Sequence, residues 1–286
     1  MELKHTAASA GRLSDLLRQE MGMSAGLLNR LKWQDKLFVN GQPQHTDYAV
    51  QPGDLITVPL DEAAPDYPAE DGALTVLYED QHLLAVDKPQ GMLIHPSHSQ
   101  FAGTLANFVA GYYRRTGQNC AFHPITRLDR DTFGIVLLAK NAHIHALLQA
   151  APVKKTYHAL VYGSPESNSG TIDAPIARKP LPSLLREISP EGKPSVTEYR
   201  ILERFPGYTK LALRPITGRT HQLRLHCAYM GFPILGDPQY GTEKSQCFSR
   251  QFALTAQCLC AKALEFTHPV TSQPMTLCSQ MDTTNH

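Results

Sequence analysis

The feature that most limits the architecture of this chain is a series of strand-length apolar segments with few helices between them. Residues 75–89 (TVLYEDQHLLAVDKP) alternate like a hairpin with its turn near Glu79-Asp80. Ile135 to Ala139 is a continuous apolar run of strand length. Tyr157 to Tyr162, Val196 to Leu202 and Thr209 to Pro215 also read as strands, and Cys258 to Phe266 and Met275 to Leu277 close the series. Helices are expected over Thr104 to Arg115, where Leu105, Phe108, Val109 and Tyr112 share a face, and from the cap Asn141 through Gln149. A further helix is expected over Arg219 to Met230, ending at Gly231. The strictly alternating strands and helices of a parallel sheet are missing. The expected fold class is therefore α+β: a mixed, largely antiparallel sheet with flanking helices.

A smaller unit precedes this body. Residues 61–71 (DEAAPDYPAED) carry five acidic and no basic side chains and hold Pro65 and Pro68, so they read as a linker. Upstream, Leu13, Leu16 and Leu17 have helical spacing, with Ser14 close to the helix start, and Met23-Ser24 opens a second helical stretch carrying Leu27, Leu28 and Leu31. Leu37-Phe38-Val39 reads as a short strand turned by Asn40-Gly41, and Gly53-Asp54 precedes another, Leu55 to Val58. The expected organisation is a small α+β module over 1–60, an acidic linker over 61–71 and a larger body over 72–286. Trp33, the only tryptophan, is expected to anchor a core.

Net charge is only +1, but its distribution is uneven. Residues 1–60 carry six basic and six acidic side chains, whereas residues 72–286 carry twenty-one basic and fifteen acidic ones, a net +6. The acidic segment hides a basic body, which permits a nucleic-acid partner without requiring one. No run approaches the roughly 18 apolar residues of a membrane span. Met1 to Gly11 lacks the basic-then-apolar order of a secretory signal, so a cytoplasmic location is expected. The six cysteines, at 120, 227, 247, 258, 260 and 278, form no C-x-x-C pair and are expected as reduced thiols packed in the core.

Four segments concentrate chemistry. HPITRLDRDTFGIVLLAK (123–140) sets Arg127, Asp129, Arg130 and Asp131 in a polar turn before the apolar strand. KKTYHALVYG (154–163) opens a strand with Lys154, Lys155 and Tyr157. GRTHQLRLHCAYMGFPILGDPQYG (218–241) packs two arginines and two histidines into nine residues, and KPQGMLIHP (88–96) is a loop bearing glycine and proline after a strand. An Arg-x-Asp turn against a strand suggests a carboxylate held by charge. Arg224, projecting from a helix, has the planar fork that pairs best with a carboxylate. Such a pair keeps an enclosed aspartate ionised, and an ionised aspartate can act as a nucleophile. The same pair can equally be structural.

Together these segments resemble the signatures of the RluA-type pseudouridine synthases. RLDRDT (127–132) followed by Gly134 matches the family's HRLDxxTSG. KPxGMxxHP before it, and KxYxALVxG and GRTHQLRxH…G.PILGD..YG after it, stand in the family's order at plausible spacing, so the resemblance spans roughly residues 72–280. Residues 1–60 resemble the alpha-L RNA-binding module shared with the ribosomal protein named S-four. That match rests on the RLSDLL start, Ser24, LFVNGQ at 37–42 and PGDLITV at 52–58. The resemblance implies conversion of uridine to pseudouridine in structured RNA, with large-subunit ribosomal RNA the first target and transfer RNA the second. A monomer is the simplest assumption, and the overall change needs no metal or other cofactor. Asp129 matches the catalytic aspartate, and Arg127 the arginine associated with flipping the target base. Tyr157 matches the tyrosine that packs on the flipped uracil and is linked to proton removal, and Arg224 the basic partner of the aspartate. Gly218, Arg219, His221 and Gln222 belong to the signature that shapes the substrate pocket, and Arg30, Lys32 and Lys36 match the module's contacts to RNA phosphates. Thr126 stands where the family commonly has His, and Phe133 where it has Ser or Thr.

Isomerisation breaks the bond from ribose to the uracil nitrogen, turns the ring and rejoins it through carbon 5. It needs a carboxylate at the sugar–base junction, a pocket for free uracil and a way to remove the proton at carbon 5. Attack on the uracil ring, attack on ribose and a glycal route are all open to such a carboxylate. Three other readings compete. A catalytically inactive RNA-binding protein would keep the fold without needing Asp129, Tyr157 and Arg224 together. A metal-dependent hydrolase is prompted by thirteen histidines, but His221 and His226 are five apart rather than i, i+4. A glycosidase on Asp129 and Asp131 would need two carboxylates set across a sugar. The synthase reading has a structural form: the Asp129 carboxylate should lie within salt-bridge reach of Arg224 and near Tyr157, in a cleft lined with basic residues.

Overall fold

The computed structural model describes residues 2–60, 67–180, 182–183 and 185–283, so residues 61–66 of the expected linker lie outside the described residues. Six helices occur among them: α1 Leu13–Gln19, α2 Ala25–Trp33, α3 Leu105–Arg115, α4 Ala142–Ala150, α5 Gln222–Tyr229 and α6 Glu243–Gln251. Ser24, Thr104, Asn141 and Thr242 cap α2, α3, α4 and α6, each accepting a bond from an amide of the first turn. Ser14 lies close to the start of α1, as expected, as its second residue; the helix begins after Arg12, whose side chain makes no cap bond.

The fold is α+β, as expected. A ten-stranded sheet runs in the order Ser169–Asp173, Val196–Phe205, Tyr208–Pro215, Lys154–Tyr162, Leu259–Thr267, Phe133–Ala139, Leu83–Lys88 and Thr75–Glu79, with His123–Pro124 and Pro274–Cys278 attached beside this path. Every pairing is antiparallel except that of Phe133–Ala139 with Leu259–Thr267. The apolar run at 135–139 is continuous because its strand is buried on both faces. Ile135, Leu137 and Ala139 join a core with Leu83, Ala85, Ile144 of α4 and Leu223 of α5. Val136 and Leu138 face the other way, with Leu84, Val86, and Leu105 and Val109 of α3. At the parallel pairing, Gly134 has φ +108°, and a Cβ there would sit 2.4 Å from the Ala261 carbonyl oxygen. Only glycine lets the two strands close at the start of the strand that follows the Asp129 turn.

Residues 2–60 enclose their own core, from Leu3 through Leu16, Leu28 and Ile56 to Leu60. Its four-stranded sheet includes Glu2–Thr6, a strand with little apolar content that pairs with Leu55–Pro59 and that periodicity alone does not reveal. Trp33 is not a core anchor: it ends α2 with 84% of its surface exposed. Residues 67–71 are not free linker either. Tyr67 packs into the core under α3, the Glu70 carboxylate accepts the Gly103 amide, and Asp71 pairs with Arg114 and Arg115. Of the six cysteines, only Cys227, Cys258 and Cys260 are buried, while Cys247 and Cys278 are exposed and Cys120 is intermediate. The first of those exposed positions belongs to α6, a helix too polar to read from its sequence.

Candidate active site

The 218–241 segment departs from expectation in a way that builds the site. The helix does not start at Arg219. Arg219 to Gln222 forms a turn, His221 takes the left-handed conformation (φ 58°), and α5 begins at Gln222. A β-carbon in that region is disfavoured by about 1–2 kcal/mol, and residues held there cluster at functional sites. Gln222 stabilises the turn. Its amide oxygen accepts from the Thr217 hydroxyl and the Arg219 amide, and its nitrogen donates to the Val196 carbonyl and the Thr197 hydroxyl. Both donors and both acceptor positions are used. Gln222 therefore holds the loop that shapes the cavity, which it also lines.

Arg224 sits one turn into α5 and is buried. Its Nε and Nη2 donate to the two oxygens of Asp237 at 2.7 and 2.8 Å, and Nη2 also donates to Gln239 at 2.8 Å. This fork leaves Nη1 aimed at Asp129 Oδ2, 3.3 Å away. The expected pair is present, but Arg224 is shared. Asp237 is wholly buried and holds the guanidinium; the Asp129 side chain keeps 29% of its surface open. His221 Nε2 stands 3.8 Å from the same Asp129 oxygen. The Tyr240 hydroxyl accepts the Arg186 amide at 3.0 Å and lies 2.9 Å from His221 Nδ1. With that hydroxyl donating to Nδ1, the ring proton falls on Nε2, facing Asp129. Burial pulls the His221 pKa down, against the charge of Asp129.

Asp129, His221 and Arg224 line a cavity of about 420 Å³ together with Arg127, Lys155, Tyr157 and Arg219. Burial, reinforced by the Asp129 charge, pushes the Tyr157 phenol up, so its ring faces the cavity neutral. Burial pushes Lys155 down. Asp131 does not line the cavity, which separates it from Asp129. Neither Thr126 nor Phe133 lines it either: the buried Thr126 hydroxyl accepts the Leu137 amide, and Phe133 is buried at the strand start. The two departures thus fall on structural positions. Arg30 and Lys32 are exposed on α2 and Lys36 is half-buried beyond it, all outside this cavity.

Sequence reasoning missed the residue that holds the Asp129 turn. Lys88 is fully buried, and its ammonium donates at 2.9 Å to three carbonyls, those of Pro89, Met92 and Arg130. Arg130 returns a bond from Nε to the Gly91 carbonyl. The KPQGM loop and the RLDRD turn are thereby strapped together. Burial pushes Lys88 down to about 8, although Asp131 and Asp129 pull it up. Between that value and the usual 10.5 the unfolded chain binds a proton that the folded chain has released, so this group makes stability rise with pH across that window. Urea unfolding should therefore show the wild type gaining on Lys88→Met as pH rises above about 8, by at most about 1.4 kcal/mol per unit. A flat or falling difference would show that Lys88 is not held in this way.

Comparison with known proteins bears on the same segments. A family model described as RNA pseudouridylate synthase matches residues 82–229. The chain is 36% identical over 263 residues to the Bacillus subtilis protein "Uncharacterized RNA pseudouridine synthase YjbO", covering 90% of each. It is 32% identical over 286 residues to "Ribosomal large subunit pseudouridine synthase C" of Vibrio vulnificus, covering 94% of this chain and 89% of that one. Among solved structures, "Human RNA Pseudouridylate Synthase Domain Containing 1" superposes with a TM-score of 0.59 at 25% identity, covering 74% of this chain and 86% of that one.

Proposed function

The chain belongs to the RNA pseudouridylate synthase family, and on that premise we propose that it isomerises uridine in large-subunit ribosomal RNA with Asp129 as the catalytic carboxylate. The observation that carries this reading is the unequal division of Arg224. Its fork is spent on buried Asp237, and its one remaining nitrogen meets a carboxylate that is still open to the cavity. Asp129 is paired and aimed without being consumed by its partner. Tyr157 offers a neutral aromatic face on which a uracil ring can stack while its bond to ribose is open. Arg127, exposed at the cavity, is suited to fill the gap left by a base drawn out of its stack, a step that costs a few kcal/mol. Arg219 and His221 bound the substrate side, and Arg30, Lys32 and Lys36 serve as phosphate contacts on the N-terminal module.

A protein that only binds RNA is disfavoured by the same geometry. A carboxylate in a basic cleft repels phosphate, and binding alone gives no reason to keep it there. The named relative that acts on the large ribosomal subunit supports ribosomal RNA over transfer RNA. The test is a map of pseudouridine in total RNA from a strain lacking the gene, complemented with wild type or Asp129→Ala. We expect at least one large-subunit site to vanish, to return with wild type and to stay absent with the variant. Loss of a transfer RNA site would move the substrate assignment; persistence of every site would remove the enzymatic reading.

A further inference from the structure

Between Asp173 and Val196 the chain leaves the main sheet as a two-stranded ribbon, Ile176–Arg178 paired with Arg186–Ile188 and closed by a bridge from Ile176 to Lys193. The ribbon lies against the site. The Arg186 amide donates to the Tyr240 hydroxyl, and Arg219 Nε donates to the Pro194 carbonyl at the ribbon's base. Arg178 and Arg186 are directly opposed in its register. Opposed residues project to one face, and like charges so placed repel. Among the described residues neither guanidinium has a carboxylate within 4.0 Å, and Arg186 Nη1 is buried with no hydrogen-bond partner at all. A buried donor left unpaired costs about 1–3 kcal/mol, more when it is charged. Among the described residues nothing offsets that cost. Anionic oxygens bound at the ribbon's face would cancel the repulsion between the two arginines, and a guanidinium turned outward toward them would gain the bond it lacks.

We propose that Arg186 and Arg178 form a phosphate clamp that grips the RNA backbone beside the nucleotide whose base occupies the Asp129 cavity. The clamp rests on the reading of the protein as an RNA-modifying enzyme, and it adds a site that none of the four sequence signatures contains. It differs in kind from the cavity. The cavity selects a base through ring and carboxylate chemistry, whereas the ribbon recognises only charge and the spacing of the backbone. Arg186 is a binding and positioning residue, since it reaches the strand and not the reacting atoms.

The test uses the full-length protein and a fluorescein-labelled fifteen-nucleotide oligouridylate, with binding followed by anisotropy from low to high KCl. Arg186→Ala and Arg178→Ala should each weaken binding several-fold at low salt and flatten the plot of log Kd against log salt by about 0.7 for every phosphate no longer neutralised. Arg186→Lys should keep most of the slope, since it keeps the charge. Lys244→Ala, an exposed α6 position, should behave as wild type. Thermal unfolding separates a binding role from a structural one. A clamp residue carrying an unpaired buried nitrogen predicts that Arg186→Ala melts at or above the wild-type temperature, whereas a structural arginine predicts a clear fall. A wild-type salt slope in both alanine variants, or a slope change equal to that of Lys244→Ala, would overturn the clamp. Absence of pseudouridine formation by the wild-type protein would instead remove the enzymatic reading, and the two failures are distinguishable.

Discussion

Asp129→Asn should leave a folded protein that converts no measurable uridine. The substitution keeps the side-chain shape and removes only the charge and basicity of the group. The catalytic loss should be at least about four orders of magnitude in kcat, the scale on which removal of a covalent or basic centre is felt. The structural cost should be small. Arg224 keeps its two bonds to Asp237 and its bond to Gln239, so no buried charge is orphaned. The Asp129 side chain is 29% exposed, and the turn around it is held by the Thr132 amide and the Lys88 ammonium, which donate to the Asp129 and Arg130 carbonyls. A melting temperature within about 4 °C of wild type is expected, which corresponds to roughly 1 kcal/mol. Binding of RNA should be equal or tighter, because a negative charge has left a basic cleft. Single-turnover assays with separate binding measurements check both halves. A variant that retains a rate within tenfold of wild type would reduce Asp129 to an ion-pair partner.

Much of this fold is legible in the sequence because its core strands are unambiguous. The run at 135–139 is apolar on both faces, and the caps Ser24, Thr104 and Asn141 each carry a side chain that meets a first-turn amide. What escapes prediction has identifiable causes. The α6 helix is polar on most positions, and the ribbon strands are only three residues long, so neither has a periodicity to detect. Trp33 defies expectation because tryptophan is buried on average, and only its neighbours in space could show that this one is not. The late start of α5 depends on the left-handed His221, which a helix-favouring sequence does not announce. In the site, the pairing of Asp129 with Arg224 is legible from the residue types. The sharing of Arg224 is not, because Asp237 lies thirteen positions further on, where it could be read as a turn residue. Lys88 escapes for the opposite reason: a lysine beside a proline reads as a solvated loop charge, yet it is wholly buried.

The clamp on Arg224 carries the second large effect. Asp237 Oδ2 accepts Arg224 Nε, while Oδ1 accepts Arg224 Nη2 and the amides of Gln239 and Tyr240. Asp237→Ala would strip all four bonds and leave a buried guanidinium whose nearest carboxylate is the half-open Asp129. Breaking one side of a buried pair costs about 3–5 kcal/mol, so melting should fall on the order of 10 °C. Activity should fall as well, since Arg224 would be free to turn its fork onto Asp129 and quench it. These two losses have different origins and can be separated. Arg224→Met combined with Asp237→Leu removes both charges at once, and such replacements of a buried pair are often neutral in stability. The double variant should regain much of the lost melting temperature while remaining inactive, because Asp129 would have lost the cation that aims it. Recovery of activity along with stability would mean that Arg224 serves only the fold. Wild-type melting in the single variant would mean that Asp237 does not hold the guanidinium at all.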